Sequence, residues 1–415
     1  MAASPLLPAT KTDDAATVRP LAEEIAALIL QLPPASFGPL TDCLSYWLDQ
    51  ADEVAPAFAG GKELWNALVP LAAELANKPA EEPAAEKKPE AADLTGAALN
   101  EPLGHLISMF LRRCPTMPGQ GERPPLPADF TGPLKALTGR ASELLANRMA
   151  VYMGYFELAD NAWLNALVLE PMTSEKPEGE RAWEAFARYG QLPQPSIWTR
   201  LEPFIYRRLA SSSLSPEGRR RVAEMAVIVW SRSKDSEPSY TINATGLRSA
   251  LGLAADDVRT QAAWHFQVLF RRSRAKDEWG EKSEIWPRLG KAFFAEVWPL
   301  EPALQSSNSS NHFAGVPGNV GARHFAEAVD TVLPFLRPFD VWSIETEFWL
   351  GKEPDPESVV EAHPQAALRL LSACISPTQQ HRVMELKRLL DRIVEREPRL
   401  QSDARVRLLR RLSGD

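Results

Sequence analysis

The sequence predicts an all-α fold of many helices, arranged as an irregular solenoid or as a bundle of stacked helix pairs. Apolar residues recur at helical spacing along most of the chain. Alternating apolar and polar runs joined by hairpin turns, which would indicate strands, are almost absent. Many helix starts are marked by proline or serine, as at Ser196, Pro216, Pro356 and Pro377. No fixed repeat length is visible, which excludes a regular tetratricopeptide or ankyrin array.

A small acidic helical bundle is predicted for residues 1–76. Apolar side chains recur at helical spacing at 18–31, at 40–51 and after the glycine pair Gly60 and Gly61. Residues 1–100 carry 6 Lys and Arg against 15 Asp and Glu, whereas the rest of the chain carries 40 against 39. The negative charge of the protein is therefore concentrated in its first hundred residues, which include this bundle.

The composition changes abruptly at residues 77–93, which read NKPAEEPAAEKKPEAAD. This segment has no aliphatic side chain larger than alanine and contains three prolines. Such a composition is typical of a solvated, semi-extended linker. We therefore predict a flexible linker at 77–93, with a small domain at 1–76 and a large helical domain at 94–415.

The large domain begins with a helix at 94–113 and continues with helices at short intervals. These are predicted at roughly 134–158, 161–169, 180–190, 196–210, 215–232, 244–251, 255–275, 283–297, 321–336, 356–373, 376–396 and 402–412. Two long irregular loops are predicted between them, a proline-rich one at 114–133 and a Gly/Ser/Asn-rich one at 305–320. Loops of this length inside a domain are often functional.

Motifs that carry catalysis are absent from the sequence. Three Gly-Lys pairs, at Gly61, Gly290 and Gly351, lack the Ser or Thr that must follow the lysine in a phosphate-binding loop. There is no GxSxG nucleophile turn, and the six histidines show no spacing typical of metal ligands. The sequence thus predicts no enzyme, no cofactor and no metal site.

Compartment and partner class follow from cysteine usage, hydropathy and charge. The three cysteines are far apart, no signal peptide is visible, and no run of 18 apolar residues occurs, so we expect a cytoplasmic protein without a membrane partner. The net charge of −8 argues against nucleic acid as the main partner, because nonspecific binding depends on clustered Lys and Arg. Clusters of basic residues near the C-terminus mean that nucleic acid is not excluded as a partner.

The loop at 305–320 supplies the candidate binding residues Asn308, Asn311, His312 and Phe313. Loops carried by a rigid scaffold are frequent sites of binding. Adaptable polar groups beside one aromatic anchor suit protein recognition better than catalysis. The alternative interpretation is a surface loop with no partner.

Four segments, taken in order, resemble a known family. They are ALNEPLGHLISMFL at 98–111, Trp163 with WEAF at 183–186, WPRLGKAFFAEVWP at 286–299, and FAEAVDTVLPFL at 325–336 followed by the closing LLRRL. Together they resemble the helical domain of unknown function that follows sirtuin-like domains in bacterial anti-phage defence proteins. The resemblance runs over most of residues 40–412.

The motif residues themselves predict structure rather than chemistry. Asn100 is expected to cap a helix, and Pro102 suits the first turn of that helix. Trp286 and Trp298 are about three turns apart on one predicted helix and are both expected to pack inward.

The resemblance implies an N-terminal sirtuin-like domain that binds NAD and destroys it, but this sequence shows no Rossmann-like segment and no candidate catalytic His with its Asn and Asp. We therefore expect either a stand-alone subunit whose effector is another polypeptide encoded nearby, or the C-terminal part of a longer protein. The functional hypothesis is a non-catalytic scaffold or sensor subunit of a defence system, with the effector or a phage protein as its partner. Two alternatives stay open: a general α-solenoid adaptor, and an enzyme of unrecognised type that uses the 114–133 or 305–320 loop.

Overall fold

The all-α prediction is confirmed by a computed structural model of the protein. The structure describes residues 12–78, 91–115, 124–174, 176–235, 239–272, 285–341, 359–379 and 383–413. Within these ranges it contains twenty α-helices and no strand. None of the helices in the same ranges combines the length and the apolar content needed to span a bilayer.

The chain forms two compact units. The first comprises Met1–Leu201 and Ser213–Gly218, and the second comprises Glu202–Ser212 and Arg219–Asp415. The first unit contains α1 (Thr12–Leu30), α2 (Phe37–Val54), α3 (Gly61–Asn77), α4 (Ala91–Asn100), α5 (Pro102–Arg113), α6 (Ala128–Lys135), α7 (Gly139–Val151), α8 (Met153–Leu164), α9 (Glu170–Thr173) and α10 (Pro177–Tyr189). Helices α11 (Pro195–Ala210) and α12 (Pro216–Arg232) contribute residues to both units.

The second unit contains the remaining α-helices, which are α13 (Ala244–Leu253), α14 (Asp256–Arg272), α15 (Ser307–Ala314), α16 (Ala322–Val332), α17 (Val359–Ala362), α18 (Pro364–Cys374), α19 (Leu386–Arg396) and α20 (Ala404–Ser413). Between α14 and α15 the chain forms two π-helical turns, Trp286–Gly290 and Phe293–Val297. A third π-helical turn, Asn165–Leu169, joins α8 to α9.

The units do not divide at the predicted linker. Helices α2 and α3 pack on α5. The buried Trp65 on α3 donates a hydrogen bond from Nε1 to the carbonyl oxygen of Leu106 on α5, at 2.9 Å. The two parts predicted as separate domains, 1–76 and the start of 94–415, therefore share one core. Most of segment 77–93 lies outside the described residues.

The predicted loop at 114–133 also needs correction. Its end belongs to α6, which begins at Ala128 after a run of prolines and buries Phe130 against Trp65 with ring centroids 4.6 Å apart. Residues 116–123 lie outside the described residues. Proline is common both in loops and at the start of helices. The number of prolines alone therefore did not reveal that a helix starts here.

Four predicted helices were drawn too long. The helix at 94–113 is divided into α4 and α5 at Glu101, and the helix at 356–373 is divided into α17 and α18 at His363. The helix at 134–158 is interrupted at Gly139, whose φ of +61° lies in the left-handed region, and again at Tyr152. The helix at 376–396 starts only at Leu386, after Glu385 with a φ of +63°. Asn100 does not cap α5 either: it is the last residue of α4, and Glu101 occupies the cap position, while Pro102 begins α5 as predicted.

The core of the second unit is a cluster of aromatic rings. Phe266 of α14 stacks on Phe293 with centroids 3.9 Å apart, and Trp230 contacts Phe293 edge to face at 5.4 Å. Trp286 and Trp298 are both buried, which confirms the predicted inward packing. Edge-to-face and offset pairs of this kind add to the stabilisation that burial alone provides.

Candidate functional site

A polar cleft of about 580 Å³ lies in the second unit. Its walls are formed by α14, by α15, and by two paired irregular segments, one after Leu336 and one after Cys374. The lining residues are Thr260, Ser307, Asn308, Asn311, His312, Pro338, Phe339, Asp340 and Ser376. Clefts of this size are typical of sites that bind small molecules or short peptide segments.

The α15 wall is a helix where the sequence predicted a loop. Ser306 and Ser309 form a capping box: the Ser306 side chain accepts a hydrogen bond from the Ser309 backbone N–H at 3.2 Å, and the Ser309 hydroxyl accepts one from Ser306 N–H at 3.4 Å. These bonds satisfy backbone donors that a helix start otherwise leaves unpaired. The polar run SNSSN is therefore a helix start, and the prediction of an irregular loop at 305–320 was wrong.

Three of the four predicted binding residues meet in the cleft. Asn308, Asn311 and His312 lie on one face of α15 and line the cleft together. Phe313 does not belong with them, because its side chain is fully buried. It packs edge to face against Trp298, with centroids 4.6 Å apart, and against Phe294 at 5.0 Å. The prediction that Phe313 is an exposed anchor for a partner is corrected: it is a core residue.

Helix α14 holds the polar side chains of α15 in place. Asn308 Nδ2 donates a hydrogen bond to Asp256 Oδ2 at 3.3 Å, and His312 Nδ1 lies 3.2 Å from Gln267 Oε1. The two helices approach closely at Gly315, where an added Cβ would lie 2.0 Å from Gln267 Nε2. A larger residue at position 315 would displace the Gln267 amide from its present place beside His312.

The third wall is fixed by backbone pairing. Phe339 N–H donates to the Cys374 carbonyl at 2.8 Å, and Ser376 N–H donates to the Phe339 carbonyl at 3.0 Å, forming an isolated parallel bridge. Arg337 N–H donates to Ser310 Oγ on α15 at 2.7 Å. These bonds tie the wall both to the end of α18 and to α15.

The lining chemistry consists mostly of neutral hydrogen-bonding groups. Two amides, three hydroxyls and one imidazole face the cleft, with Asp340 as the one carboxylate among the lining residues. Thr260 Oγ1 is buried and makes no hydrogen bond among the described residues. Asn side chains offer a carbonyl and an NH₂ group, which can pair with a peptide group in both directions. Such a set favours recognition of an uncharged polar segment.

Sequence reasoning missed the residues of the other two walls. Thr260 lies on α14, and Asp340 and Ser376 lie in irregular chain far after Asn308 in the sequence. None of them forms a motif with its sequence neighbours, so no local signal pointed to them. Within the ranges that the structure describes, no group of three or more His, Cys, Asp and Glu side chains is arranged to hold a metal ion.

Comparison with known proteins places the chain in no family. No family model matches it, and no solved structure matches it significantly. A protein of Sinorhizobium fredii (strain NBRC 101917 / NGR234), described as uncharacterized protein y4cA, is 26% identical over 169 residues. The similar region covers 40% of this chain and 13% of that protein. The chain thus resembles one limited region of a much longer polypeptide.

Proposed function

We propose that this chain is a non-catalytic scaffold or sensor subunit of a bacterial anti-phage defence system, acting in the cytoplasm, and that it engages a protein partner through the polar cleft. The observation that carries the binding part of the proposal is the cleft itself. Asn308, Asn311 and His312 stand on a capped helix, and a neighbouring helix holds two of them by side-chain hydrogen bonds. Preorganised polar groups lose little freedom when they bind, which favours specific recognition.

The role in defence is supported by the resemblance of four sequence segments to the helical domain that follows sirtuin-like domains in anti-phage proteins. The comparison with the Sinorhizobium fredii protein supports a modular role, since a region similar to part of this chain occurs within a far longer polypeptide. The partner proposed is an effector subunit encoded nearby or a phage protein. Its segment in the cleft would present peptide groups and uncharged polar side chains to the Asn amides.

The test combines phage challenge with purification from the native host. The wild-type chain and an Asn311→Ala/His312→Ala variant are tagged and purified with and without infection, and the co-purifying chains are identified. We expect the variant to fold normally, to lose the partner and to lose protection. A matched control, Gln401→Ala/Arg411→Ala, changes two exposed residues outside the cleft and should keep both properties.

Two outcomes would contradict the proposal in different ways. If the cleft variant folds normally and protects fully, the cleft is not the recognition site. If deletion of the gene leaves phage sensitivity unchanged while partner capture still depends on the cleft, the general adaptor hypothesis replaces the defence hypothesis.

A further inference from the structure

A buried ion cluster in the first unit joins α2 to α5. We define it as Asp49, Asp52, Arg112, Arg113 and Arg148. Asp52 is fully buried and pairs with Arg113 and, at 3.4 Å, with Arg112 Nε. Arg112 also pairs with Asp49 and donates to the Asp49 carbonyl oxygen at 2.7 Å. The carboxylates of α2 are thus held by the guanidinium groups of α5.

Arg148, on α7, is the member without a bonded partner. Its residue is only 8% exposed, and its Nε is buried with no hydrogen-bond partner among the described residues. No described carboxylate forms an ion pair with it, although Asp49 lies near enough to attract it. Burial lowers the pKa of Arg148 below its usual value. Tyr152 and Asp49 act in the opposite direction, and repulsion from Arg112 adds to the effect of burial.

The charges of the cluster do not balance. The cluster holds three guanidinium groups and two carboxylates. Asp52 is paired with Arg112 and Arg113, and Asp49 is paired with Arg112 and also lies 3.1 Å from His105 Nδ1. A buried charge that lacks a partner is strongly unfavourable, and arginine remains protonated in proteins. An arginine in this position therefore calls for a negative group that the described chain does not provide.

We propose that Arg148 and the adjacent part of the buried ion cluster form a binding site for a small oxyanion, a phosphate or carboxylate group carried by a small molecule. The planar guanidinium can donate two parallel hydrogen bonds to two oxygens of either group. Either group would supply negative charge next to a guanidinium that has no carboxylate partner among the described residues.

The site differs from the polar cleft in both place and chemistry. It lies in the first unit, on α2, α5 and α7, whereas the cleft lies in the second unit and presents mainly neutral groups. The oxyanion proposal does not depend on the proposed role in defence, because it rests only on geometry and charge within one compact unit.

The test measures thermal unfolding and calorimetric binding with inorganic phosphate and with acetate, at constant ionic strength in a zwitterionic buffer. For wild type, phosphate or acetate at roughly ten times its dissociation constant should raise the melting temperature by about 2–4 °C. Arg148→Met should weaken binding by about tenfold or more, since it removes charge-assisted hydrogen bonds. Arg200→Met is the matched control: it removes the same charge from an exposed position in the same unit and should bind like wild type.

The sign of the stability change gives a second readout. Without anion, Arg148→Met should unfold at the same temperature as wild type or higher, because it removes an uncompensated buried charge. A clear drop in the unfolding temperature would show that the charge of Arg148 is already balanced inside the protein and would overturn the proposal.

Stabilisation by phosphate alone identifies a phosphorylated compound as the ligand class, and stabilisation by acetate alone identifies a carboxylate. If Arg148→Met does not fold, the wild-type protein alone provides the test. The proposal is overturned if calorimetry detects no heat of binding with either anion up to about 10 mM, which corresponds to an affinity weaker than millimolar.

Discussion

At position 313 the aromatic ring points away from the cleft that its two preceding neighbours line. Asn311 and His312 face the cleft, and Phe313 faces Trp298 in the core, because successive residues of a helix are rotated by about 100°. The sequence predicted the polar residues of the site. The burial of Phe313 could not be predicted while the segment was taken as a loop, because the side chains of an irregular loop do not divide into an exposed face and a buried face as those of a helix do.

Replacing Phe313 by alanine should therefore destabilise the second unit. Loss of a fully buried Phe leaves a cavity among four aromatic rings, and such changes cost about 3–5 kcal/mol. Urea denaturation followed by tryptophan fluorescence measures the change. The control Asn311→Ala, two positions away on the cleft face, should change the free energy of unfolding by less than about 0.5 kcal/mol. Equal effects of the two variants would contradict the assignment of Phe313 to the core.

At the scale of elements, local sequence signals predicted helix boundaries correctly where a typical helix-start residue stood at the beginning of a segment with helical apolar spacing. The predicted helices at 196–210 and 215–232 match α11 and α12 to within a residue, since proline begins each of them. They failed where a polar run concealed a helix start, as at Ser306, and where a left-handed residue, as at Glu385, delayed one. Conformations of this kind depend on what surrounds the residue, so composition does not reveal them.

The pairing of α2 with α5 supplies a prediction at this scale. Asp52→Asn keeps the shape of the side chain but leaves the guanidinium groups of Arg112 and Arg113 without their shared carboxylate. Breaking a buried pair in this way costs about 3–5 kcal/mol. The change is read from the urea midpoint of unfolding. Asp42→Asn is the matched control, because Asp42 is exposed on the same helix, and it should leave the midpoint nearly unchanged. A small effect of Asp52→Asn would show that the ion pairs contribute little.

At the scale of the whole molecule, the fold class was predicted from the sequence, whereas the division of the chain into its two compact units was not. The composition of residues 77–93 is typical of a linker. It carries no information about whether the helices before this segment pack against the helices after it. Trp65, Asp49 and Asp52 contact residues of α5 that lie about 40 to 60 positions away. Contacts between such distant positions are the part of a fold that single-sequence patterns do not encode.

Cutting the chain within the linker tests this arrangement. A site-specific protease sequence is inserted between Ala84 and Ala85, and the cleaved protein is passed over a gel-filtration column. We expect the two fragments to elute together, because the interface between α2, α3 and α5 buries apolar side chains and several ion pairs. In guanidinium chloride the same fragments should separate. Separation in native buffer would support independent domains at 1–76 and 94–415 instead.

The π-helical turns have a consequence for comparing this protein with its relatives. Each turn closes with one residue more than an α-helical turn, and two of them follow each other closely at Trp286–Gly290 and Phe293–Val297. A homologue that lacks one residue here would continue as a plain α-helix, with every later aromatic side chain rotated by about 100°. Single-residue gaps in this stretch should therefore be placed inside the π turns. An ungapped alignment would assign Phe293, Trp298 and their equivalents to the wrong faces, and so misplace the core on which α15 and its cleft are built.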